Sequence, residues 1–348
     1  MVGTYKCPGC GAPIEFNSKE GKLVCSYCGT QVDVSQMDAE TQKYDCVVEN
    51  LEKEDAQYGD FAAYKCENCG AEILTDENTS ATTCSYCGSP AIIKGRLTGQ
   101  LMPKSIIPFK YNKEQAKDTF KKWTRKGPLT PGCFKKEATI DSIKGIYVPF
   151  WLYDYAAHVD MNARATTVST RRSGNTEYTT TSYYAVDRAM DCRFEKIPAD
   201  ASEKMPDSIM DRLEPFNYTE LAPFKMPYLS GYSSEKFNYT KEEMNYRAES
   251  RARSYAFTEC RNSITGYNSV QVQHSNTRLQ RLDTTYALLP VWMLNYVYNG
   301  KQYMFALNGQ TGKLVGTLPI SKGKAAAWFG GIFASVSAIL FLLGGLLG

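Results

Sequence analysis

The sequence predicts a mostly β protein with α elements. Two small four-cysteine units, a β-rich domain that suggests two related halves, and one C-terminal transmembrane helix are expected. Three observations predict this: a cysteine pattern occurs twice, runs rich in Thr, Tyr and Val fill the middle, and the last residues are apolar and uncharged. The expected bounds are 1–34 for the first unit, 35–62 for an acidic linker, 63–93 for the second unit, 100–320 for the β-rich domain and 325–348 for the membrane helix.

Eight cysteines form two copies of the spacing C-x2-C-x14-C-x2-C, with glycine after each pair. The copies are Cys7, Cys10, Cys25 and Cys28, and Cys66, Cys69, Cys84 and Cys87. Each C-x2-C turn aims two sulfurs at one point, so two turns make the tetrahedral cage of a zinc ribbon. Two Zn²⁺ ions are therefore expected, and iron fits the same ligands. Such short units have almost no core, so metal should supply on the order of 10 kcal/mol of their folding free energy.

Other uses of these cysteines fit the pattern less well. A thioredoxin-like redox site needs one C-x-x-C beside a βαβ unit, whereas here four pairs occur in matched twos. Disulfides belong to oxidising compartments, and the first residues, MVGTYKCPG, do not resemble a secretory signal peptide. We expect the scattered cysteines to be small buried residues in a reducing compartment; they are Cys46, Cys133, Cys192 and Cys260.

Charge is unevenly distributed along the chain. Residues 31–81 contain thirteen Asp or Glu against three Lys, and residues 94–144 contain thirteen Lys or Arg against four acids. A phosphate backbone would be repelled by this acidic stretch, which lies mostly between the two ribbons. The ribbons are therefore expected to be protein-docking or structural modules, with nucleic acid a less favoured ligand.

Two helices carry capping signals. Asn112 and Gln115 form a capping-box pattern, and Gly127-Pro128 supplies a stop, so a helix is expected between them. Its lysines could lie on an anionic membrane, but a surface helix packed through Phe120 and Trp123 is the favoured interpretation. Thr240 and Glu243 predict a second helix, with Met244, Ala248, Ala252 and Tyr255 on one face to about Cys260. Pro206 and Pro215 bound a shorter helix.

From 140 to 320 the pattern is mostly β. The runs GIYVPFWLYDYAAHV, NARATTVST and TEYTTTSYYAV predict strands, with a turn at 172–175. Asn299-Gly300 predicts a two-residue hairpin turn near the end. The segment 148–151, VPFW, matches 289–292, LPVW, at an offset of 141 residues, which suggests the two related halves.

The β-rich domain contains no recognisable catalytic motif. The patterns G-x-S-x-G, H-E-x-x-H and G-x-G-x-x-G are absent from the sequence. The only histidines, His158 and His274, lie in strand-like runs and are expected to be packed or surface residues. The segment 309–313, GQTGK, is too short for a phosphate loop and is expected to be a turn. We therefore expect no enzymatic activity.

The C-terminal stretch 325–348 is expected to cross a membrane. Its 24 residues carry no charge and, as a helix, would extend roughly 36 Å, against about 30 Å for a hydrocarbon core. Lys322 and Lys324 precede it, so the positive-inside preference places the body in the cytoplasm. Trp328 fits an interfacial anchor. The expected location is the cell membrane, with a single pass.

These motifs together resemble a known family. Two TFIIB-type ribbons, the blocks YVPFWLYDY, EPFNY, YLSGY and LPVWMLNYVYNGKQYMFALNGQTGKLVG, and a C-terminal membrane helix are similar to the bacterial TFIIB-type zinc-ribbon membrane proteins, a YdjG-like group. The resemblance implies that the eight cysteines bind zinc. It also implies a membrane-bound recruitment factor for an SPFH-domain scaffold protein, working with a second small membrane protein in membrane-stress response. Such proteins are often labelled PriA-like replication helicases, but the sequence has no Walker A motif.

The combined pattern leads to one hypothesis and one alternative. The hypothesis is a membrane-anchored, cytoplasm-facing adaptor whose zinc ribbons or β-rich domain dock a soluble protein. The lipid bilayer is its second partner. The alternative is a membrane-tethered nucleic-acid-binding protein that uses the basic residues 94–144.

Overall fold

A computed structural model describes residues 2–37, 61–66, 68–76, 78–84, 87, 89–93, 97, 101–136 and 140–346. The chain is mostly β with α elements, as the sequence predicts. The predicted acidic linker, 35–62, lies almost wholly outside the described residues, as does Cys46.

The strands and helices have the following bounds. The strands are β1 (Val2–Gly3), β2 (Glu15–Asn17), β3 (Lys22–Val24), β4 (Gln31–Val32), β5 (Phe61–Lys65), β6 (Glu72–Asp76), β7 (Thr79–Thr83), β8 (Pro90–Ile93), β9 (Ser105–Ile106), β10 (Lys144–Ser173), β11 (Thr176–Asp200), β12 (Ala222–Pro223), β13 (Ser233–Glu235), β14 (Ser269–Tyr298), β15 (Lys301–Asn308) and β16 (Leu314–Gly316). The α-helices are α1 (Lys113–Arg125), α2 (Asp207–Leu213), α3 (Asn245–Asn262) and α4 (Lys322–Leu346), and 3-10 turns lie at Gly132–Lys135, Tyr218–Glu220 and Met226–Leu229.

Three long antiparallel strands form the centre of an eleven-stranded sheet. β10 pairs with β14 along one edge, from Lys144 opposite Met293 to Thr166 opposite Ser269, and with β11 along the other. A strand of 30 residues extends roughly 100 Å at about 3.3 Å per residue. The shorter strands pair only near the beginning of β10 and the end of β14. The remainder of the three long strands, residues 155–195 and 269–283, forms what we call the arm.

The arm is more continuous than the sequence predicts. Separate strands were expected on either side of residue 160, but β10 runs unbroken to Ser173. The predicted turn at 172–175 is tighter, because Ser173 already pairs with Thr176. Gly174 has a φ of +62°, a left-handed conformation that glycine adopts without strain.

Helix α3 covers one face of the arm. Alternate residues of β10, including Val159, Met161 and Ala163, are buried with Ala256 and Cys260 of the helix. Small side chains let the helix approach the strands closely. The helix begins at Asn245, later than predicted, because the bonds between Thr240 and Glu243 close a preceding turn instead. Tyr255, which we predicted on the packed face, is 43% exposed.

An aromatic cluster joins β10 and β14, outside the arm, to neighbouring segments of the body. The ring of Phe109 stacks on Tyr232 at 4.2 Å and meets Tyr147 and Trp292 edge-on at 4.9 and 5.1 Å. The indole Nε1 of Trp292 donates a hydrogen bond to the carbonyl of Tyr111. The two echoing segments, 148–151 and 289–292, begin in directly paired positions of β10 and β14, so they lie side by side in one sheet.

Helix α1 packs on the end of the sheet as a surface helix. Asn112 and Gln115 form both hydrogen bonds of the predicted capping box. Phe120 is buried, and its ring and that of Trp123 contact Phe305 of β15 at 5.3 and 5.1 Å. The predicted packed residues are therefore confirmed, although Trp123 is only partly buried.

The last two predicted features are also observed. Asn299 and Gly300 form the turn between β14 and β15, with φ values of +51° and +72°. Over Lys322–Leu340, α4 is long and apolar enough to cross a membrane. Residues 309–313 lie in the turn between β15 and β16, so they do not form a phosphate loop.

The packing of α3 on the arm predicts the cost of a larger side chain. Ala252 has no exposed surface, so Ala252→Leu should lower the free energy of unfolding by about 1 to 3 kcal/mol. Denaturant unfolding of the full chain in detergent, followed by circular dichroism, measures the change. Ser254→Leu, at an exposed position of the same helix, is the matched control. Equal effects from both variants would contradict the packing.

Candidate metal centres

Each set of four cysteines comes from two tight turns. In the first ribbon, Cys7–Gly11 precedes β2 and Cys25–Gly29 follows β3. The amide of Gly11 donates to the carbonyl of Cys7 at 2.8 Å, and Gly29 donates to Cys25 at 2.9 Å. Both glycines have φ near +75°, which a residue with a side chain rarely adopts. The glycine after each pair is therefore required by the turn.

The sulfur positions fit a tetrahedral metal. The Sγ atoms of all four cysteines in each set lie within 4.8 Å of one another. Cys7 and Cys28 are 3.5 Å apart, as are Cys10 and Cys25; in the second set, Cys66–Cys87 and Cys69–Cys84 are both 3.8 Å apart. A Zn–S bond of about 2.3 Å implies about 3.8 Å between sulfurs in a regular tetrahedron. Both sets are compatible with zinc.

The second ribbon is part of the large sheet. β5 and β6 form its own hairpin, but β7 and β8, on either side of Cys84 and Cys87, belong to the eleven-stranded sheet. β7 pairs with β13, which pairs with β10. Two ligands of the second ribbon are consequently positioned by the body rather than by the ribbon alone.

The first ribbon is attached to the same body at two places. β1 pairs with β8, and the hydroxyl of Thr4 donates to the carbonyl of Pro90 at 2.8 Å. On its other side, the amide of Phe16 donates a hydrogen bond to the carbonyl of Ser230. The hydroxyl of Ser230 in turn donates to the carbonyl of Ile14 at 2.6 Å. The ring of Phe16 contacts Tyr228 edge-on. These contacts hold the first metal centre against the body.

Hydroxyl groups support one thiolate in each centre. The Oγ1 of Thr30 lies 3.0 Å from the Sγ of Cys28, and the Oγ of Ser89 lies 3.2 Å from that of Cys87. Hydrogen bonds from Thr30 lower the pKa of Cys28 to about 6. Those from Ser89 and Asn68 do the same for Cys87. Because the thiolate is the ligand, this favours metal binding.

These hydroxyls were missed in the sequence, although a signal exists. In both copies the residue two positions after the last cysteine is Thr or Ser. The two ribbons differ at the second residue after their first cysteine, which is Gly9 in the first ribbon and Asn68 in the second. A Cβ on Gly9 would lie 2.9 Å from Thr30 Oγ1, whereas Asn68 in the second ribbon contributes a hydrogen bond to Ser89 at 2.8 Å.

The histidines lie away from the metal centres, on the arm. The two ring nitrogens of His158 are 2.6 Å from Asp191 and 3.2 Å from Asp160, and these hydrogen bonds raise the pKa of the imidazole. His274 lies opposite Asn162 on β14. Cys260 is buried as expected, while Cys133 and Cys192 are partly exposed.

The fold and the paired cysteine turns define a zinc-ribbon protein. The TFIIB zinc-binding family matches residues 5–44, which contain the first ribbon. The chain is 42% identical over 353 residues to a protein of Bacillus subtilis (strain 168), "Uncharacterized protein YdjG", and the match covers 99% of each. The chain therefore belongs to the YdjG-like family of TFIIB-type zinc-ribbon proteins. No solved structure matches it.

The hydroxyl contacts predict how metal binding depends on pH. Protons compete with metal for the thiolates, so metal is lost as the pH falls. Without its hydroxyl donor in Thr30→Val, Cys28 should have a higher pKa, and zinc should leave at a higher pH. An affinity loss of about tenfold is expected. Titration with a colorimetric zinc indicator measures it.

Ser26→Ala is the control for this measurement, because it removes a hydroxyl from the same ribbon at an exposed position. Identical release curves for Thr30→Val and the wild type would show that the hydroxyl does not support the thiolate.

Proposed function

We propose that the protein is a membrane-anchored, cytoplasm-facing adaptor that recruits a soluble protein through its zinc-ribbon end. The observation that carries this proposal is the combination of two four-cysteine ribbons built into the body with an exposed apolar helix, α4. By the family resemblance, the recruited partner is an SPFH-domain scaffold protein, and a second small membrane protein takes part.

The exposure of α4 supports its insertion into a bilayer. Its large apolar side chains are 49% to 74% exposed; they are Trp328, Phe329, Ile332, Phe333, Val336, Ile339 and Leu340. A soluble protein rarely exposes a continuous apolar surface of this size. The helix has 25 residues and extends about 38 Å, enough to cross a hydrocarbon core of about 30 Å. Lys322 and Lys324 at its start favour a cytoplasmic body.

The metal centres support binding rather than catalysis. We propose one Zn²⁺ in each, held by four thiolates. A closed four-thiolate centre leaves no position open for water or substrate, which is typical of structural zinc. The ions would hold the turns rigid and thereby fix the surface residues that the turns present.

Tyr27 is the residue we propose for partner contact. It lies between the ligands Cys25 and Cys28 and is 80% exposed. An aromatic side chain on a rigid turn loses little conformational entropy on binding, and Tyr is among the residues that contribute most to interfaces. The first ribbon thus presents one pre-positioned anchor to a partner.

Removal of this ring tests the contact. Tyr27→Ala should lower the amount of SPFH-domain protein crosslinked to the chain in native membranes by about tenfold, the loss expected for an interface hot spot. Tyr246→Ala is the matched control, since Tyr246 is 68% exposed on α3. Undiminished crosslinking of Tyr27→Ala would exclude Tyr27 as the anchor. Undiminished crosslinking of a Cys66→Ser/Cys69→Ser variant would exclude the second ribbon as the dock.

Elemental analysis tests the metal assignment. The purified chain should contain two zinc ions, and the Cys66→Ser/Cys69→Ser variant should contain one. Iron in place of zinc would give a visible absorption band from the thiolate centres. The first ribbon in the variant serves as the internal control, because its four cysteines are unchanged. A wild-type chain without bound metal would contradict the proposal.

A further inference from the structure

The turn that follows α1 and the start of α4 are joined by direct contacts. The amide of Ser321 donates to the carbonyl of Leu129 at 2.9 Å, and the Nζ of Lys324 donates to the carbonyl of Thr130 at 2.7 Å. Leu318 lies against Gly127, where a Cβ would be 3.0 Å from its Cδ1. The turn that follows α1 therefore holds the chain immediately before α4.

Positive charge is concentrated at this end of α1. The first half of the helix carries Lys113 and Lys117 with Glu114 and Asp118, and Lys117 also pairs with Asp141 at 2.8 Å. The second half and its cap contain four cations and no acid; these are Lys121, Lys122, Arg125 and Lys126. The charge thus separates along the helix, with the basic half nearest α4.

Four exposed cations form what we call the basic collar. They are Lys122, Arg125, Lys126 and Lys322. Among the residues that the structure describes, none of these four side chains makes an ion pair. Cations in the last turn of a helix stabilise its negative end, which accounts for Lys122 and Arg125. It does not account for Lys322, which lies on a different helix at the same end of the body.

We propose that the basic collar binds the headgroups of anionic phospholipids. This inference rests on the proposed insertion of α4, which would bring the collar to the bilayer surface. Charge complementarity favours the partner, because juxtamembrane Lys and Arg residues are attracted to anionic lipids. Ile320, which is 63% exposed and lies two residues before Lys322, fits the boundary between headgroups and acyl chains.

The first ribbon lies near the end of α1 that is opposite the collar. Helix α1 is 13 residues long and therefore about 20 Å from end to end. At its other end, Asn112 and Glu114 line a cavity of about 690 Å³ together with Glu15 and Asn17 of the first ribbon. The far end of α1 and the first ribbon thus border the same cavity, at the opposite end of the helix from the collar.

Hydrogen exchange of the full chain in lipid nanodiscs tests the proposal. Amide exchange across 121–136 is compared in phosphatidylcholine and in phosphatidylcholine mixed with phosphatidylglycerol. The anionic lipid should slow amide exchange in the wild type by at least about fivefold. This is the change that corresponds to the attraction of a single cation to an anionic surface. In Lys122→Gln/Arg125→Gln/Lys126→Gln this difference should disappear. High salt should abolish it in the wild type, because it screens the attraction.

The control variant removes the same amount of charge from the first ribbon and from the opposite end of α1. Lys19→Gln/Lys22→Gln/Lys113→Gln alters three exposed lysines and should keep the response to phosphatidylglycerol. Equal exchange in both lipid mixtures for the wild type would overturn the lipid proposal, as would an unchanged response in the collar variant. Collar-dependent binding of duplex DNA in neutral nanodiscs, without a phosphatidylglycerol effect, would also overturn it.

Flotation separates this proposal from the membrane anchor on which it rests. The wild type and the collar variant should both float with vesicles of phosphatidylcholine alone, since α4 needs no anionic lipid to insert. A chain that fails to float would overturn the anchor and the collar together. Flotation without a phosphatidylglycerol effect on exchange would overturn the collar alone.

Discussion

The antiparallel pairing of β10 with β14 is the interaction on which the other contacts of the body depend. It brings residues more than 100 positions apart in sequence into one ladder, from Lys144 opposite Met293 to Thr166 opposite Ser269. β11, β13, β9 and β15 all pair with one of these two strands. Because α3 packs on the same ladder and α1 on β15, loss of the pairing would separate the arm, the second ribbon and α4.

Metal bound at the two cysteine centres and this sheet would stabilise each other. Zinc ribbons that stand alone depend on metal for their folded state. Here, however, Cys84 and Cys87 flank strands of the sheet, so folding of the body already places two of the four sulfurs of the second ribbon. Because two of its sulfurs are already in place, this site loses less conformational entropy on binding metal than a ribbon that stands alone. Bound metal would in turn stabilise β7 and β8 against separation from β13.

Features governed by neighbouring residues could be predicted from the sequence, and those governed by distant ones could not. The cysteine turns, the capping box at Asn112 and the Asn299-Gly300 turn each depend on a few adjacent residues. The polar first half of β14 was missed, because bulges such as the extra residue between Val272 and His274, opposite Ala163 and Asn162 of β10, break the alternation that marks a strand. The joining of the second ribbon to β13 is a pairing between distant segments, and no local pattern specifies it.

The route from the ribbons to α4 consists of packed or hydrogen-bonded elements. Strand β7 pairs with β13, β13 with β10, and β10 with β14. Strand β14 also pairs with β15, and α1 packs against β15. The turn after α1 is hydrogen-bonded to the start of α4. If the link were flexible, the ribbons would sample every orientation relative to α4, and binding would cost the entropy of selecting one of them. Under the proposed function, a rigid route would instead present Tyr27 in a fixed direction relative to the membrane, so tethering and orientation would both raise the effective concentration of the docking surface.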